Sequence, residues 1–170
     1  ALLHSVVENV PEDLEPLLIV TPPVTRVEAG DTQLVRFIST LKQPLKTQRL
    51  KRVSFEGIPQ ARVAGGATIG ITLRQNLPLI LHPQGLPRHH TPWELLTWKR
   101  VGDRLSVHND SAYVVRLAPD VQLLPQGTLA TLPRTYILPG EALVAKGEDP
   151  LGNVAQVEIQ PATVYGFSVD

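Results

Sequence analysis

Residues 67–83 read ATIGITLRQNLPLILHP, and this stretch decides what kind of fold the chain can adopt. Apolar side chains occupy almost every second position, with Gln75 interrupting a series formed by Ile69, Ile71, Leu73, Leu77, Leu79 and Leu81. A period of two residues is typical of a β-strand with one apolar face, because successive side chains point to opposite sides of the strand. The stretch therefore predicts a long strand with one apolar face.

Pro78 lies inside this predicted strand. Proline has no backbone N–H to donate to a neighbouring strand, so it is confined to sheet edges, bulges and strand ends. We therefore expect an edge strand, or one that changes its partner at Pro78. A long apolar edge is an aggregation hazard, and a function that uses the edge would explain its presence.

The composition predicts an all-β protein. The chain has 170 residues, of which 42% are hydrophobic, and its 16 prolines and 12 glycines punctuate short β-rich runs. Turn signals at intervals of about 8–12 residues are typical of β-sandwiches. The segment PQGLPRHHTP, with three prolines, indicates a linker. We predict one domain at residues 1–83, a linker at 84–92 and a second domain at 93–170.

Charge and residue usage exclude several classes of protein. The formal net charge is zero, which disfavours binding to nucleic acid or to an anionic membrane surface. Cysteine is absent, so a disulfide framework and a thiolate metal site are excluded. No segment approaches the roughly 20 apolar residues of a membrane-spanning helix. The start, ALLHSVVENV, lacks the features of a signal peptide, so we expect a mature or truncated form, or a protein without an export signal.

Residue clusters that could carry chemistry have simpler interpretations. His89 and His90 are adjacent in the linker with no acid or cysteine nearby, which indicates solvated side chains and no metal site. His108, Asp110 and Ser111 are the residue types of a hydrolase triad, but they fall in one hairpin turn and no nucleophile elbow is present. We therefore predict no enzymatic activity, no cofactor and no metal.

The stretch from Lys42 to Arg52 is basic but lacks interleaved aromatic residues. This pattern indicates a mobile, solvated loop and not a phosphate-binding surface. Trp93 and Trp98 are expected to fill the core of the second domain.

Four segments, taken in order, resemble one known family. They are LLIVTPPVTRVEAGDTQLVRF (17–37), FEGIPQ (55–60), the opening stretch with the following linker, and PWELLTWKRVGDRLSVHNDSAYVVRL (92–117). They resemble parts of PapD-like periplasmic chaperones of the chaperone–usher pilus pathway. In order, the counterparts are the strand, proline pair, turn and strand of the first domain, a strand end before its variable loop, its last strand with the linker, and the start of the second domain. The likeness covers nearly the whole chain and preserves the order of the segments.

The resemblance implies two immunoglobulin-like β-sandwich domains set at an angle. It also implies a non-enzymatic role in the bacterial periplasm, where the chaperone binds pilus subunits, lends them an edge strand and delivers them to the outer-membrane usher. Whether a second copy of the chain caps the edge in a homodimer is left open. Strand lending would explain an exposed apolar edge, because addition to another sheet is then its task.

The resemblance also assigns roles to individual residues. Residues 68–75 would be the lent strand, about 25 Å long at about 3.3 Å per residue. Its apolar members are expected to enter the groove of the pilus subunit and its other members to lie between them; the predicted pilin-binding residues are Thr68, Ile69, Gly70, Ile71, Thr72, Leu73, Arg74 and Gln75. Arg74 falls on the polar face, where we expect it to be solvated.

The sequence departs from the family pattern in three places. Pro78 stands where the family has a lysine that binds the carboxylate of the pilus subunit, so no residue is assigned to carboxylate anchoring. His82 stands where the family has an arginine that ties the domains together, and we assign it an interdomain role. The family usually has two strands before the segment that residues 1–9 resemble, so we expect the first domain to expose part of its core.

A second hypothesis from the sequence is a generic two-domain adhesion or receptor module. Such a module would bind through loops, for example residues 42–52. It explains two β-domains equally well but gives no reason for the apolar edge. Substitutions in the loop and in the edge strand would separate the two hypotheses.

Overall fold

The computed structural model describes residues 1–59, 62–64, 67–69, 71–102, 104–147 and 154–162. Within these ranges the regular structure consists of strands and one short 3₁₀ helix, Pro92–Leu95, which confirms the all-β prediction. The chain divides into two compact units, one made of Ala1–Pro44 with Leu50–Leu81 and the other of Leu45–Arg49 with His82–Asp170. None of the described helices is both long and apolar enough to cross a membrane.

The first half of the chain contributes eight strands. They are β1 (Leu2–Asn9), β2 (Leu18–Thr21), β3 (Val24–Arg26), β4 (Arg36–Ser39), β5 (Arg49–Ile58), β6 (Arg62–Ala64), β7 (Ala67–Ile69) and β8 (Leu73–Leu81). A four-stranded sheet has the order β3-β1-β5-β8, and two smaller sheets pair β2 with β4 and β6 with β7. β1 and β5 are antiparallel over the whole of β1, from Leu2 opposite Ile58 to Asn9 opposite Lys51. In the described part of this sheet, β8 is the last strand and has β5 as its neighbour.

The apolar stretch that opens the sequence is divided between two sheets. Residues 67–69 form β7 and pair with β6, with Ile69 opposite Arg62, whereas residues 73–81 form β8 and join β5. Ile71 and Thr72 belong to neither strand. The prediction of one long continuous strand was therefore wrong; of the two alternatives offered for Pro78, the edge position is the one that β8 occupies in the described sheet. A two-residue period reports the alternation of side chains, but it does not report which backbone each segment pairs with.

The first unit buries few apolar side chains. Among its described residues these are Val10, Leu17, Leu50 and Val53. All four residues of β4 are exposed, and Phe37 and Ile38 are 36% and 52% accessible. Within the described residues β4 pairs only with β2, so its apolar side chains have little to pack against. Apolar side chains of this two-stranded sheet are therefore exposed.

The basic stretch is a loop, as its composition indicated, only over residues 42–48. Its last four residues begin β5, where Leu50 is buried and Lys51 is 0% exposed. The Lys51 ammonium donates hydrogen bonds to the carbonyl oxygens of Asp13, at 2.9 Å, and Glu15, at 2.7 Å. A buried charge is tolerated when such partners replace its hydration. The composition of the stretch could not reveal the burial of Lys51, because Asp13 and Glu15 lie more than thirty residues away along the chain.

The second half of the chain forms a β-sandwich. Its strands are β9 (Leu96–Val101), β10 (Arg104–Asn109), β11 (Val115–Leu117), β12 (Asp120–Leu124), β13 (Thr128–Thr131), β14 (Tyr136–Ile137), β15 (Ala142–Gly147), β16 (Gln156–Glu158) and β17 (Pro161–Ala162). A six-stranded sheet, β16-β12-β13-β15-β10-β9, and a three-stranded sheet, β14-β11-β17, contribute to one core. Val107 of the first sheet and Val115 and Ile137 of the second are all 0% exposed. Trp93 and Trp98 pack against this core, as predicted.

Candidate functional site

The β8 edge, which we define as residues 71–77, is the most distinctive surface of the first unit. All seven residues are exposed, and the side chains of Ile71 and Leu73 are 68% and 72% accessible. Leu77 adds a third exposed apolar side chain at 39%. Because β8 is the last strand of the described sheet, one side of its backbone is available to pair with another strand. Within the part of the chain that the structure describes, this edge therefore combines an open side of the backbone with apolar side chains.

The structure brings together five of the eight predicted pilin-binding residues. These are Ile71, Thr72, Leu73, Arg74 and Gln75, which are consecutive and exposed. Thr68 and Ile69 instead belong to β7, where they lie opposite Val63 and Arg62 of β6. Gly70 lies outside the described residues.

Arg74 is exposed, as the sequence suggested, with 58% of its side chain accessible, but it also makes specific contacts within the sheet. Its Nε donates a hydrogen bond of 2.9 Å to the Ser54 hydroxyl, and its guanidinium lies 3.2 Å from a carboxylate oxygen of Glu8. The other carboxylate oxygen of Glu8 accepts a hydrogen bond of 3.3 Å from the Asn76 side chain. Asn76 in turn accepts a hydrogen bond from Arg52 at its side-chain oxygen. Arg74 is thus one member of a network.

We name this network the polar clamp and define it by its five members, Glu8, Arg52, Ser54, Arg74 and Asn76. It joins three neighbouring strands, β1, β5 and β8. Glu8 lies directly opposite Arg52 in the β1–β5 ladder, so the two share one face of the sheet. Because side chains alternate along a strand, Leu73 and Gln75 project to the other face. The alternation in β8 could have paired Arg74 with Asn76 from the sequence, but nothing in the sequence pointed to Glu8.

Pro78 lies within β8, at the edge of the sheet. This placement agrees with the restriction of proline to edge positions, where its missing N–H breaks no ladder. The structure supplies no basic side chain at this position, and carboxylate anchoring remains unassigned.

His82 is held within the second unit. Its Nδ1 lies 3.0 Å from Nε2 of Gln48, and its Nε2 lies 2.7 Å from the carbonyl oxygen of Leu86. The side-chain oxygen of Gln48 accepts a hydrogen bond of 2.8 Å from the backbone N–H of Val114, so the amide nitrogen must face His82. The imidazole therefore accepts at Nδ1 and donates at Nε2. An interdomain role for His82 stays a prediction.

The other histidine clusters have structural roles. His108 pairs with Asp110 at 3.0 Å, but the hydroxyl of Ser111 donates to the Asn109 side chain at 2.6 Å, which closes a turn. The Nδ1 of His89 accepts a hydrogen bond of 3.1 Å from the backbone N–H of Thr91, and its ring packs edge-on against the ring of Tyr113. In the described ranges, no three His, Cys, Asp or Glu side chains group as a metal site would require.

Comparison with known families gives matches over both halves of the chain. Residues 1–87 match the family described as "Pili and flagellar-assembly chaperone, PapD N-terminal domain". Residues 91–170 match the family described as "Pili assembly chaperone PapD, C-terminal domain". The two matches follow one another in the order that the segment resemblance predicted.

Individual relatives agree with these matches. The chain is 36% identical over 168 residues to the uncharacterized fimbrial chaperone YhcA of Escherichia coli (strain K12), covering 98% of this chain and 74% of the relative. The SafB chaperone, solved in complex with the Salmonella enterica SafA pilin, matches with a TM-score of 0.75 at 21% identity over 99% of this chain and 79% of that one. The E. coli chaperone DraB matches with a TM-score of 0.73 at 19% identity over 98% and 79% of the two chains. These structural matches confirm the predicted two-domain immunoglobulin-like fold.

Proposed function

This chain belongs to the PapD family of pilus-assembly chaperones, and from that premise we propose that it captures pilus subunits by adding its β8 edge to their incomplete sheet. One observation carries the proposal: Leu73 is exposed at a strand edge that has a single neighbour in the described part of its sheet, and Ile71 is exposed just before that strand begins. The mechanism is binding and protection without catalysis.

The edge offers both kinds of interaction that strand addition requires. Backbone N–H and C=O groups on the open side of β8 can form a ladder with a subunit strand, and alternate side chains can fill its groove. If the strand lent to the subunit extends back to Ile71, then Ile71 and Leu73 would point to the same side about 6.6 Å from one another. Burying each of them is worth about 1.5–3 kcal/mol, part of which offsets the lost freedom of the two partners.

The proposal extends to the segment before β8. β7 has β6 as its neighbour in the described part of the chain, so its second edge is open. Thr68 and Ile69 can therefore lengthen the ladder with a pilus subunit without leaving β6.

The cellular setting belongs to the same proposal. A chaperone that binds pilus subunits would act in the bacterial periplasm and would deliver the captured subunit to an outer-membrane usher. In the absence of subunits, a second copy of the chain could cap the same edge as a homodimer. The alternative of a loop-based adhesion or receptor module is not favoured, because both halves match chaperone families.

Co-expression with a pilus subunit in the periplasm tests the proposal. Ile71→Asp and Leu73→Asp should abolish co-purification of the subunit, because each places a charge in the apolar groove. Leu129→Asp is the matched control, since Leu129 is a similarly exposed leucine, at 60%, in the second unit. Normal capture by both edge variants would refute the proposal.

A further inference from the structure

We propose that Arg74 and Asn76, through Glu8, are positioning residues that hold the start of β8 in the conformation in which it is lent. The inference rests on the proposed function but assigns these residues a different task from Ile71 and Leu73. They would act on the strand itself and would not contact the pilus subunit.

The first argument is what holds the β8 edge in place. Residues 71–77 are all exposed, whereas the following residues, 78–81, are half-buried. Apolar packing therefore contributes little to the exposed half of the strand. An edge strand with one backbone neighbour and little packing is prone to local opening.

The second argument is the geometry of the polar clamp. Arg74 reaches across β5 to Glu8 on β1, at 3.2 Å, and bonds to Ser54 of β5 at 2.9 Å on the way. Asn76 donates to the same Glu8 carboxylate at 3.3 Å. The contacts of Arg74 with Ser54 and of Asn76 with Arg52 also require β8 to run antiparallel to β5. The clamp thus spans three strands and fixes one register.

The third argument is that the two faces of β8 have different roles. The side chains of Arg74 and Asn76 lie on one face of β8 and belong to the clamp. The side chain of Leu73 lies on the other face and is 72% exposed. An exposed ion pair alone contributes little, but connected hydrogen bonds can hold a strand more firmly than isolated ones. The arrangement therefore fixes the backbone without covering the apolar side chains that the subunit needs.

A fixed strand binds better than a fluctuating one. If the edge spends only part of its time in the pairing conformation, the apparent affinity is reduced to that fraction of its intrinsic value. The expected effect of losing the clamp is therefore slower and weaker capture with the apolar residues intact. This effect distinguishes a positioning residue from a contact residue.

Asn76→Asp is the sharpest test, because it conserves size while replacing the donor to Glu8 with a second carboxylate. We expect capture of a pilus subunit refolded in its presence to slow by about threefold to tenfold. Hydrogen exchange of the amides of residues 73–77 should become faster, while that of β10 and β15 should not change. The double variant Glu8→Gln/Asn76→Asp should recover capture, because the new amide can donate to the aspartate and still accept from Arg74.

The outcomes separate the clamp from the proposed function. Slower capture that the double variant rescues supports the proposal; unchanged capture, or no rescue, overturns it even where exchange is faster. If Ile71→Asp and Leu73→Asp still capture subunits, the proposed function fails first. If Asn76→Asp or the double variant disrupts the first unit, the milder Arg74→Gln and Arg74→Lys are tested instead. Equal capture of the subunit by Arg74→Gln and Arg74→Lys would refute a role for the charge of Arg74.

Discussion

The ammonium of Lys51 donates a hydrogen bond of 2.7 Å to the backbone carbonyl oxygen of Glu15, although the two residues are 36 positions apart. A second bond reaches the carbonyl oxygen of Asp13, whose carboxylate also lies 3.4 Å away. The fully buried lysine thereby ties β5, the neighbour of β8, to the connection that follows β1. The stability of the strand that supports the β8 edge therefore depends on a side chain that looks like a surface residue in the sequence.

Replacing Lys51 with methionine should destabilise the first unit. The substitution keeps most of the side-chain volume but removes the donors to two carbonyl oxygens, and hydrogen bonds to a charged group are worth about 1.5–3 kcal/mol. Urea unfolding, followed by a probe in the first unit, measures the change in the free energy of unfolding. Lys46→Met, at an exposed position in the same basic stretch, should leave it unchanged, and equal effects of the two would contradict the role of burial.

Leu73→Lys should reduce self-association of the protein in the absence of pilus subunits. Leu73 is 72% exposed at an open strand edge, and a charge at such an edge opposes pairing with a second copy. Light scattering over a concentration series measures the effect, with Val101→Lys in the second unit as the control. If Val101→Lys abolishes self-association and Leu73→Lys does not, the contact between two copies lies outside the β8 edge.

The imidazole of His82 should be found as the tautomer protonated at Nε2. The orientation of Gln48 is fixed by the N–H of Val114, and it presents its amide nitrogen to Nδ1 of His82. Nitrogen-15 chemical shifts of the ring identify the tautomer directly. A proton on Nδ1 in the neutral ring would contradict the assigned direction of these bonds.

Removing the Gln48 side chain should destabilise the second unit by about 1–3 kcal/mol, because the N–H of Val114 loses its partner. Gln48→Ala can be compared by thermal unfolding with Gln43→Ala, a substitution at an exposed glutamine in the first unit. Equal stability of the Gln48→Ala and unsubstituted proteins would show that the bond contributes nothing.

Asn109→Asp should destabilise the second unit although it changes a single atom. Asn109 is 0% exposed, and its amide nitrogen donates to the carbonyl oxygens of Tyr113, at 2.8 Å, and Ile137, at 3.1 Å. The aspartate cannot donate to them when ionised, and each unsatisfied buried group costs about 1–3 kcal/mol. Denaturant unfolding measures the loss, and the exposed Asn76 is not a suitable control because it belongs to the clamp. Gln126→Glu, in an exposed turn, serves instead and should be neutral.

The sequence was informative where structure depends on neighbouring residues. The two-residue period of residues 73–81, with Pro78 among them, predicted a strand at a sheet edge, and β8 has that position. Trp93 and Trp98 were correctly placed against the core of the second domain. These features follow from side-chain alternation, proline chemistry and aromatic burial, which act over a few residues.

Contacts between distant residues were missed. Neither the pairing of residues 67–69 with β6 nor the burial of a lysine from the basic stretch was predicted. Each depends on which strands become neighbours, and strand pairing is a property of the whole sheet.

By itself the sequence determined that this protein is all-β, that an apolar strand lies at an edge, and to which family the chain is similar. Only the tertiary structure decided which part of that stretch stands at the edge and what holds it there, because Arg74 and Glu8 are separated by 66 positions. The physical reason is that alternation along a strand is local, whereas the register between strands is set by backbone hydrogen bonds and side-chain contacts that the folded sheet brings together.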